Sequence, residues 1–333
     1  MPESLQGTTV FIDAFDAVLS DLDGVVYAGP HAIPGAPEAL RGLAGRGVRL
    51  GYVTNNASRS TAEVAAHLRE LGAPAETDDV VSSAQAGAEL LARKVPAGSK
   101  VLVTGSPALR REVEARGLVP VHSAEDEPVA VIQGFSPDLG WRDLAEASYA
   151  VAGGALWIAT NTDLSIPQAR GIAPGNGSLV NAVRAATAKE PLVAGKPEAP
   201  LFLTAAERLG ARRPLVVGDR LDTDILGGNR AGFETAAVLT GVDTRQSILA
   251  ARTEERPTYI LATLDELYAP YAFPEAFDGG WRAGRSQARV EGRTIRVSGQ
   301  PEDLDAWRAA CAAWWEAQPD SEEPTAPELV WER

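Results

Sequence analysis

Short apolar runs alternate with longer amphipathic segments along most of this 333-residue chain. The runs have the length of buried strands, and the segments between them have the spacing of helices that cover a sheet. The predicted strands lie at 18–20, 48–53, 79–82, 100–104, 129–133, 156–160, 191–196, 214–219 and 235–239. The predicted helices lie at 36–46, 60–71, 84–94, 178–188, 198–209 and 223–231. This order predicts an α/β fold with a mostly parallel sheet.

The alternation is interrupted between residues 161 and 180, where glycine, proline and asparagine are frequent. The segment begins with Asn161-Thr162-Asp163 and contains a second cluster of such residues at 171–177. A loop of this length and composition is more often functional than a plain connection. We therefore expect a functional loop here.

Beyond Pro274 the pattern predicts a β-hairpin, with strands at 286–290 and 293–297, and then a helix at 301–317. One face of this helix is apolar, and its members are Leu304, Trp307, Cys311, Trp314 and Trp315. This apolar stripe could pack on its own hairpin, on the α/β core or across a dimer interface. We expect the last two together, in a homodimer. The acidic, proline-containing tail at 319–333 is predicted to be flexible.

Composition limits the class, the partners and the location of the protein. The length predicts two or three domains, and an apolar fraction of 45% is enough for packed cores. A formal charge of −14 argues against nucleic acid or an anionic membrane as a partner. The single cysteine excludes an internal disulfide and a cysteine-based zinc site. Because neither a signal peptide nor a bilayer-spanning apolar stretch is visible, we expect a cytoplasmic protein.

Carboxylates stand at the ends of two predicted strands. Asp21 and Asp23 follow the first strand, and Asp219 and Asp224 follow the apolar run that begins at residue 214. Open α/β sheets bind ligands at the carboxyl ends of their strands, and carboxylates there can hold a hard cation. The plainer interpretation is a turn at the first pair and an acidic helix cap at the second.

Neutral and cationic polar residues stand at two other strand ends. Thr54, Asn55 and Asn56 end the second strand near a predicted helix start, and Lys196 ends the run at 191–196. A hydroxyl, backbone N–H groups and an ammonium are suited to an anion such as phosphate. Turn asparagines and a surface lysine are the plainer interpretations. The occurrence of all four segments in this order favours a shared function.

Together the four segments contain the parts of a phosphoryl-transfer reaction. A phosphate monoester is a dianion, so an attacking carboxylate needs a divalent cation, and Mg2+ suits a site with few carboxylates. A lysine and a hydroxyl can hold the remaining phosphoryl oxygens in the transition state. One aspartate can attack phosphorus, while a second carboxylate protonates the leaving group and later activates water.

These residues resemble the haloacid dehalogenase (HAD) superfamily of phosphatases. More narrowly, the chain is similar to subfamily IIA, which includes NagD-like enzymes, 4-nitrophenyl phosphatases and phosphoglycolate phosphatases. The resemblance rests on Asp-x-Asp-Gly-x-x-Tyr, which begins at Asp21, and on Gly-Asp-x-x-x-Thr-Asp, which ends at Asp224. It covers roughly residues 13–271.

The resemblance implies a role for each candidate residue. Asp21 would be the nucleophile and a metal ligand. Asp23 would be the general acid and base and would ligate Mg2+ through its backbone carbonyl. Asp219 would ligate the metal directly, and Asp224 would support it from nearby. The implied phosphate-binding residues are Thr54, Asn55, Asn56 and Lys196.

The resemblance also implies a domain order. A Rossmann-like core would comprise 1–83 and 193–271, with an inserted α/β cap domain of the C2 type at 84–192. Asn161-Thr162-Asp163 differs from the Asn-Pro-Asp that is usual in the family's cap. The small α+β module at 272–318 is similar to the extension of actinobacterial glycerol-3-phosphate phosphatases, which is likened to part of an acetyltransferase. Because no complete acyl-CoA site is visible, we expect a packing or dimerisation module.

The leading hypothesis is therefore a Mg2+-dependent phosphoric monoester hydrolase that forms an aspartyl-phosphate intermediate. Its substrate would be a small phosphorylated metabolite, with glycerol 3-phosphate first and a 2-phosphoglycolate or 4-nitrophenyl phosphate type of substrate second. Phosphotransfer to another acceptor and a non-catalytic metabolite sensor are the other hypotheses. A sensor is disfavoured because a sensor need not retain a nucleophile, whereas this chain has Asp21, Asp23, Lys196 and Asp219.

Overall fold

The computed structural model describes residues 10–168 and 170–332. Residues 1–9 of the predicted core and residue 333 of the predicted tail lie outside the described residues. The strands of the first half are β1 (Ala17–Ser20), β2 (Tyr27–Ala28), β3 (His31–Ala32), β4 (Arg49–Thr54), β5 (Val80–Ser82), β6 (Lys100–Thr104), β7 (Val119–Val121), β8 (Ala130–Gln133) and β9 (Leu156–Ala159). Those that follow are β10 (Ser165–Gln168), β11 (Gly171–Pro174), β12 (Leu192–Val193), β13 (Pro214–Gly218), β14 (Glu234–Val238), β15 (Tyr259–Leu261), β16 (Glu275–Phe277), β17 (Gly280–Ala283), β18 (Ser286–Glu291), β19 (Thr294–Ser298) and β20 (Glu328–Glu332).

The α-helices are α1 (Ala36–Gly42), α2 (Thr61–Glu70), α3 (Ser83–Ala92), α4 (Pro107–Ala115), α5 (Trp141–Ala152), α6 (Asn176–Thr187), α7 (Pro200–Leu209), α8 (Leu226–Arg230), α9 (Arg245–Leu249) and α10 (Leu304–Ala317). The start of α2 is fixed as the sequence predicts. Ser60 N donates to Glu63 Oε2 at 2.8 Å, and Glu63 N donates to Ser60 Oγ at 3.3 Å, which is a capping box.

A six-stranded sheet in the order β15-β14-β13-β1-β4-β5 carries the predicted catalytic segments. β1 pairs in parallel with β13, β13 with β14, β14 with β15, and β4 with β5. Every residue of β1 is fully buried, which is typical of a parallel strand covered on both faces. Ser20 lies opposite Val217, so β1 and β13 end at the same edge.

A second parallel sheet, in the order β12-β9-β8-β6-β7, is formed by strands between residues 100 and 193. Val131 of β8 and Trp157 of β9 share one apolar cluster with Ala147 of α5 and Val180 of α6. Both sheets therefore have the parallel α/β character that the sequence predicts, and the predicted fold class is confirmed.

Residues 161–180 contain more regular structure than the expected loop. β10 and β11 form an antiparallel hairpin in which Ile166 lies opposite Ala173, and α6 begins directly afterwards at Asn176. Ile172 of β11 is 75% exposed. β11 thus lacks the alternating buried face by which a strand is recognised in a sequence, and for that reason the prediction of a loop was wrong over these residues.

The C-terminal module is a five-stranded sheet, in the order β16-β17-β18-β19-β20, that packs against α10. The predicted hairpin is formed by β18 and β19, and its turn contains Gly292 at a φ of +67°, where glycine is favoured. This part of the prediction is confirmed.

The apolar stripe of α10 lies inside the chain. Leu304, Trp307, Cys311 and Trp314 are buried, and Trp315 is partly buried. The stripe packs in one cluster with its own sheet, through Ala288, Ile295 and Val297. The same cluster contains residues of the α/β core, which are Leu221, Ile248, Leu249 and Ile260. Packing on the core was expected, whereas the expected place across a dimer interface was wrong, because the chain itself covers these side chains.

The tail was predicted to be flexible, but its described part contains β20. This strand pairs in parallel with β19, and Ile295 lies opposite Leu329. The ring centroid of Trp331 is 5.5 Å from that of Trp307. Leu329 and Trp331 both pack against the cluster of α10. These alternate apolar residues give the strand a partly buried face, and the prediction of a flexible tail from its acidic and proline residues was wrong.

The chain divides into two compact units. One comprises Met1–Leu50, Leu71–Pro74 and Leu209–Arg333, and the other comprises Gly51–Glu70 and Ala75–Arg208. We call them the first and the second unit. The predicted domain boundaries at 84, 193 and 272 stay predictions. Over the residues described, none of the helices has both the length and the apolar character needed to cross a membrane.

Arg308 joins α10 to the core by charged hydrogen bonds. Its side chain is 8% exposed, and its Nη2 donates to Ile260 O at 2.7 Å and to Glu266 Oε2 at 2.6 Å. The guanidinium also lies over the Tyr271 ring, 4.3 Å from its centroid. Arg308→Ala removes these donors and leaves a buried carbonyl and a carboxylate unmet. We expect the free energy of unfolding to fall by about 3 kcal/mol in urea denaturation.

Arg282→Ala is the matched control. Arg282 belongs to the same module and donates to Glu275 Oε2 at 2.8 Å, but both side chains are 55% exposed. Water replaces such a contact easily, so this variant should unfold close to wild type. Equal losses in the two variants would contradict the structural role assigned to Arg308.

Candidate active site

Asp21 continues directly from the buried strand β1. Its backbone N–H donates to Val217 O at 2.9 Å, so the ladder between β1 and β13 reaches the first carboxylate. Ser20 Oγ donates to Asp21 O at 2.7 Å. These bonds fix the backbone of Asp21 at the carboxyl edge of the sheet.

Asp219 and Asp224 follow β13 in the first unit. Asp219 comes directly after Gly218, and Asp224 lies in a π-helical turn over Leu221–Ile225. They are 2% and 1% exposed. A Cβ at Gly218 would overlap the Asp224 side chain, so only glycine allows this close approach at the strand end.

Asp21, Asp219 and Asp224 converge, and we call these three residues the acidic cluster. One carboxylate oxygen from each lies within 4.8 Å of the others. Carboxylates so close repel one another and are costly to bury unless a cation joins them. An all-oxygen donor set is the one that Mg2+ and other hard cations prefer. The residues present therefore fit a magnesium site.

The loop after β14 holds Asp219 and is not among the segments that the sequence predicts for the site. Val242 N donates to Asp219 Oδ2 at 2.7 Å, and Asp243 N donates to Asp219 O at 3.0 Å. Thr240 Oγ1 donates to Gly24 O at 2.6 Å. A Cβ at either Gly24 or Gly241 would overlap the Asp219 carboxylate. The available signal was Thr240-Gly241-Val242-Asp243, a polar and flexible segment at another strand end.

The carboxylate of Asp23 lies outside the acidic cluster. Asp23 is exposed, and Tyr27 Oη donates to its Oδ2 at 3.4 Å. An exposed carboxylate of this kind can exchange a proton with substrate or water. The predicted metal contact of Asp23 through its backbone carbonyl stays a prediction.

The carboxylates of the acidic cluster act electrostatically on Arg220. A hydrogen bond to Asp222 raises the pKa of Arg220, and the charges of Asp222, Asp224 and Asp219 raise it further, against the effect of burial. Arg220 Nη2 donates to Asp222 Oδ2 at 2.8 Å. The guanidinium thus stays charged, as expected where several carboxylates are close together.

In the second unit, Asn55 holds the backbone of Lys196. Asn55 Oδ1 accepts from Lys196 N at 2.8 Å, and Asn55 Nδ2 donates to Lys196 O at 3.2 Å. Lys196 is 4% exposed. An ammonium buried this deeply needs anionic or polar groups around it, because an uncompensated buried charge is costly. The structure thus brings together two of the four predicted phosphate-binding residues.

Thr54 and Asn56 lie at the end of β4, close to Asn55 in sequence. Thr54 is 9% exposed, and its Oγ1 accepts from Asn56 N at 3.1 Å. Asn56 Oδ1 accepts from Ser58 N and from Ser58 Oγ, both at 2.8 Å. Asn56 therefore shapes the loop with both its N–H and its side-chain oxygen. Its predicted contact with phosphate stays a prediction that these bonds do not support.

Asp163 also contacts Asn55 but was not among the predicted site residues. Asn55 Nδ2 lies 3.1 Å from Asp163 Oδ1 and 3.2 Å from Oδ2, and donates to them. The segment 161–163 was singled out in the sequence as part of a functional loop, so a signal existed. What the sequence did not show was its partner, which is 108 residues away along the chain.

Comparison with protein families gives two matches. Residues 18–119 match a family model described as haloacid dehalogenase-like hydrolase, and residues 193–267 match one described as HAD-hydrolase-like. These two segments contain every predicted site residue.

Individual relatives extend the similarity beyond the two segments. D-glycerol 3-phosphate phosphatase of Mycobacterium tuberculosis is 45% identical over 311 residues, which is 91% of this chain and 86% of the relative. A crystal structure of a glycerol phosphate phosphatase from the same organism, in complex with magnesium, matches at 42% identity with a TM-score of 0.85. The match covers 98% of this chain and 96% of that one.

A p-nitrophenyl phosphatase from Archaeoglobus fulgidus gives a shorter match. It is 31% identical with a TM-score of 0.69, and the match covers 76% of this chain and 98% of that one. A quarter of this chain therefore has no counterpart in it, whereas the M. tuberculosis structure matches almost throughout.

Proposed function

This chain belongs to the haloacid dehalogenase-like hydrolases, and on that basis we propose that it hydrolyses glycerol 3-phosphate through an aspartyl-phosphate intermediate at Asp21. It is a phosphatase of the HAD family, and Mg2+ is the cofactor of these enzymes. The single observation that carries the proposed chemistry is the acidic cluster, in which Asp21 meets two buried carboxylates at a strand end.

In the first step an Asp21 carboxylate oxygen forms a bond to phosphorus, and the bond from phosphorus to the substrate oxygen breaks. Asp23 gives its proton to the leaving alkoxide. In the second step water attacks the same phosphorus, and the Asp23 carboxylate accepts the proton of that water. The bond from phosphorus to Asp21 then breaks, which releases phosphate and restores both aspartates.

The other residues would bind Mg2+ and the phosphoryl group and orient them. Asp21, Asp219 and the Asp23 carbonyl would hold Mg2+, with Asp224 nearby, and the bound cation would offset the repulsion between a carboxylate and a phosphate dianion. Lys196 and the Thr54 hydroxyl would bind phosphoryl oxygens, and Asn55 would fix Lys196 through its backbone.

The preference for glycerol 3-phosphate rests on relatedness over the whole chain. The M. tuberculosis phosphatase named for that substrate is similar over 91% of this chain, and the glycerol phosphate phosphatase structure over 98%, whereas the p-nitrophenyl phosphatase matches 76%. 2-Phosphoglycolate and 4-nitrophenyl phosphate are the second candidates. A panel of phosphorylated metabolites with phosphate detection tests the choice. We expect the largest kcat/KM for glycerol 3-phosphate, and a larger value for 2-phosphoglycolate would contradict it.

The assembly and the competing activities stay proposals. A homodimer is still proposed, although the apolar stripe of α10 no longer supports it, and sedimentation equilibrium tests it. Phosphotransfer to a second acceptor would use the same Asp21 chemistry, so products must be assayed for both free phosphate and a phosphorylated acceptor.

Asp23→Asn should affect alkyl phosphates more than aryl phosphates. The alkoxide of glycerol 3-phosphate needs a proton to leave, whereas 4-nitrophenolate hardly does. We expect kcat for glycerol 3-phosphate to fall by roughly 10²–10⁴-fold, and the first turnover of 4-nitrophenyl phosphate to fall much less. Rapid-quench kinetics on the two substrates measures the difference. Equal losses in the first turnover would show that Asp23 is not the general acid.

A further inference from the structure

Three buried polar side chains of the second unit have no part in the mechanism above. Ser83 is fully buried, and Asn161 and Asn176 are 4% and 1% exposed. Asn176 Nδ2 donates to Asn161 O at 2.7 Å. Ser83 Oγ and Asn161 Nδ2 both donate to a single acceptor, the backbone carbonyl of Asn55, each at 2.7 Å. The bonds therefore converge on Asn55.

The side chain of Asn55 passes this constraint on to Lys196. Its oxygen accepts from Lys196 N at 2.8 Å and its nitrogen donates to Lys196 O at 3.2 Å. A Cβ at Gly195 would come within 2.5 Å of Asn55 Oδ1. With so little room, a shift of Asn55 would displace the backbone that carries the Lys196 side chain.

Asn161 also closes a ring of hydrogen bonds. Its Oδ1 accepts from Asp163 N at 3.2 Å, and the Asp163 carboxylate accepts from Asn55 Nδ2 at 3.1 Å. The ring returns to Asn161 through its bond to the Asn55 carbonyl. The ring is partly buried, and such a ring favours the arrangement in which each of its polar groups is paired.

We propose that Asn161 is a positioning residue for phosphate, which acts by fixing Asn55 and, through it, the backbone of Lys196. Asn176 and Ser83 support it, the first by holding the backbone of Asn161 and the second by sharing its acceptor. The inference rests on the proposed phosphate-binding role of Lys196.

Asn161→Asp tests this directly, because it keeps the shape and the Oδ1 acceptor but removes the donor to Asn55 O. Should that variant fail to fold, Ser83→Ala removes the other donor to the same carbonyl. Asn229→Asp is the matched control, since Asn229 Nδ2 likewise donates to backbone carbonyls, those of Glu254 and Arg256, in the first unit. It changes the same chemical group without touching the ring.

The readout is the Kd of inorganic phosphate, titrated by calorimetry in the presence of Mg2+. We expect about tenfold weaker binding in Asn161→Asp and wild-type binding in Asn229→Asp. Turnover of glycerol 3-phosphate and of 4-nitrophenyl phosphate should fall by the same factor, since the acid Asp23 is not altered. A phosphate Kd that stays within about twofold of wild type in Asn161→Asp would overturn the inference.

The outcomes also separate the inference from the proposed function. A wild-type protein that binds phosphate but hydrolyses no monoester would overturn the proposed function, and the role of Asn161 would then be decided by the titration alone. A wild-type protein that hydrolyses monoesters but binds no phosphate would overturn the inference and leave the proposed function standing.

Discussion

Asp21→Asn is expected to abolish turnover while the fold stays intact. An amide is nearly isosteric with a carboxylate but cannot attack phosphorus, so the covalent step is lost. We expect kcat to fall by at least about 10³-fold for every phosphomonoester, with phosphate release as the assay. Because the substitution removes one charge from the acidic cluster, the melting temperature should not fall.

Asp126→Asn provides the control for this variant. Asp126 is exposed, lies in a short turn before β8 and is not part of the acidic cluster. It undergoes the same chemical change and should retain wild-type kcat. Activity of Asp21→Asn within about tenfold of wild type would exclude Asp21 as the nucleophile.

Removal of Mg2+ is expected to have an effect of similar size. With excess EDTA, the carboxylates of the acidic cluster would repel both one another and the phosphate dianion. We expect activity to fall by roughly 10³-fold or more and to return when Mg2+ is restored. Ca2+ should restore little, because it takes more ligands at longer distances and loosens the in-line geometry.

A thermal melt tests the metal independently of activity. Mg2+ at one hundred times its Kd should stabilise the protein by about 2.7 kcal/mol, and Asp219→Asn should reduce that gain. Full activity in excess EDTA, together with a melt that Mg2+ does not change, would contradict the metal site.

The parallel core could be predicted because each of its strands carries its own signal. β1, β8 and β13 are short, mostly apolar runs that are buried at every position. The hairpin of β10 and β11 could not be predicted, because Ile172 and its neighbours in β11 are largely exposed and do not alternate between buried and exposed positions. β20 was not recognised because acidic residues and prolines surround it, and Leu329 and Trp331 become partly buried only through β19 and the cluster around Trp307.

The site was predictable to the extent that its residues follow strands. Asp21, Asp219 and Asp224 were found in this way, and the structure brings their carboxylates together. The residues that hold them were missed where their contacts are made by backbone groups, as in the bond from Val242 N to Asp219. Asn161 was noticed as part of a loop, but its bond to the Asn55 carbonyl joins segments 106 residues apart, which no local pattern indicates.

The most direct test of the account is to find the phosphoryl group on Asp21. Asp23→Asn should slow the second step, which needs a base, more than the formation of the intermediate from 4-nitrophenyl phosphate. Mixing this variant with that substrate and Mg2+ should release one equivalent of 4-nitrophenolate in a burst. Acid quenching, digestion and mass spectrometry should then locate a phosphoryl group on the peptide that contains Asp21. Repeated turnover with no phosphorylated peptide, or a phosphoryl group on any other residue, would contradict the account.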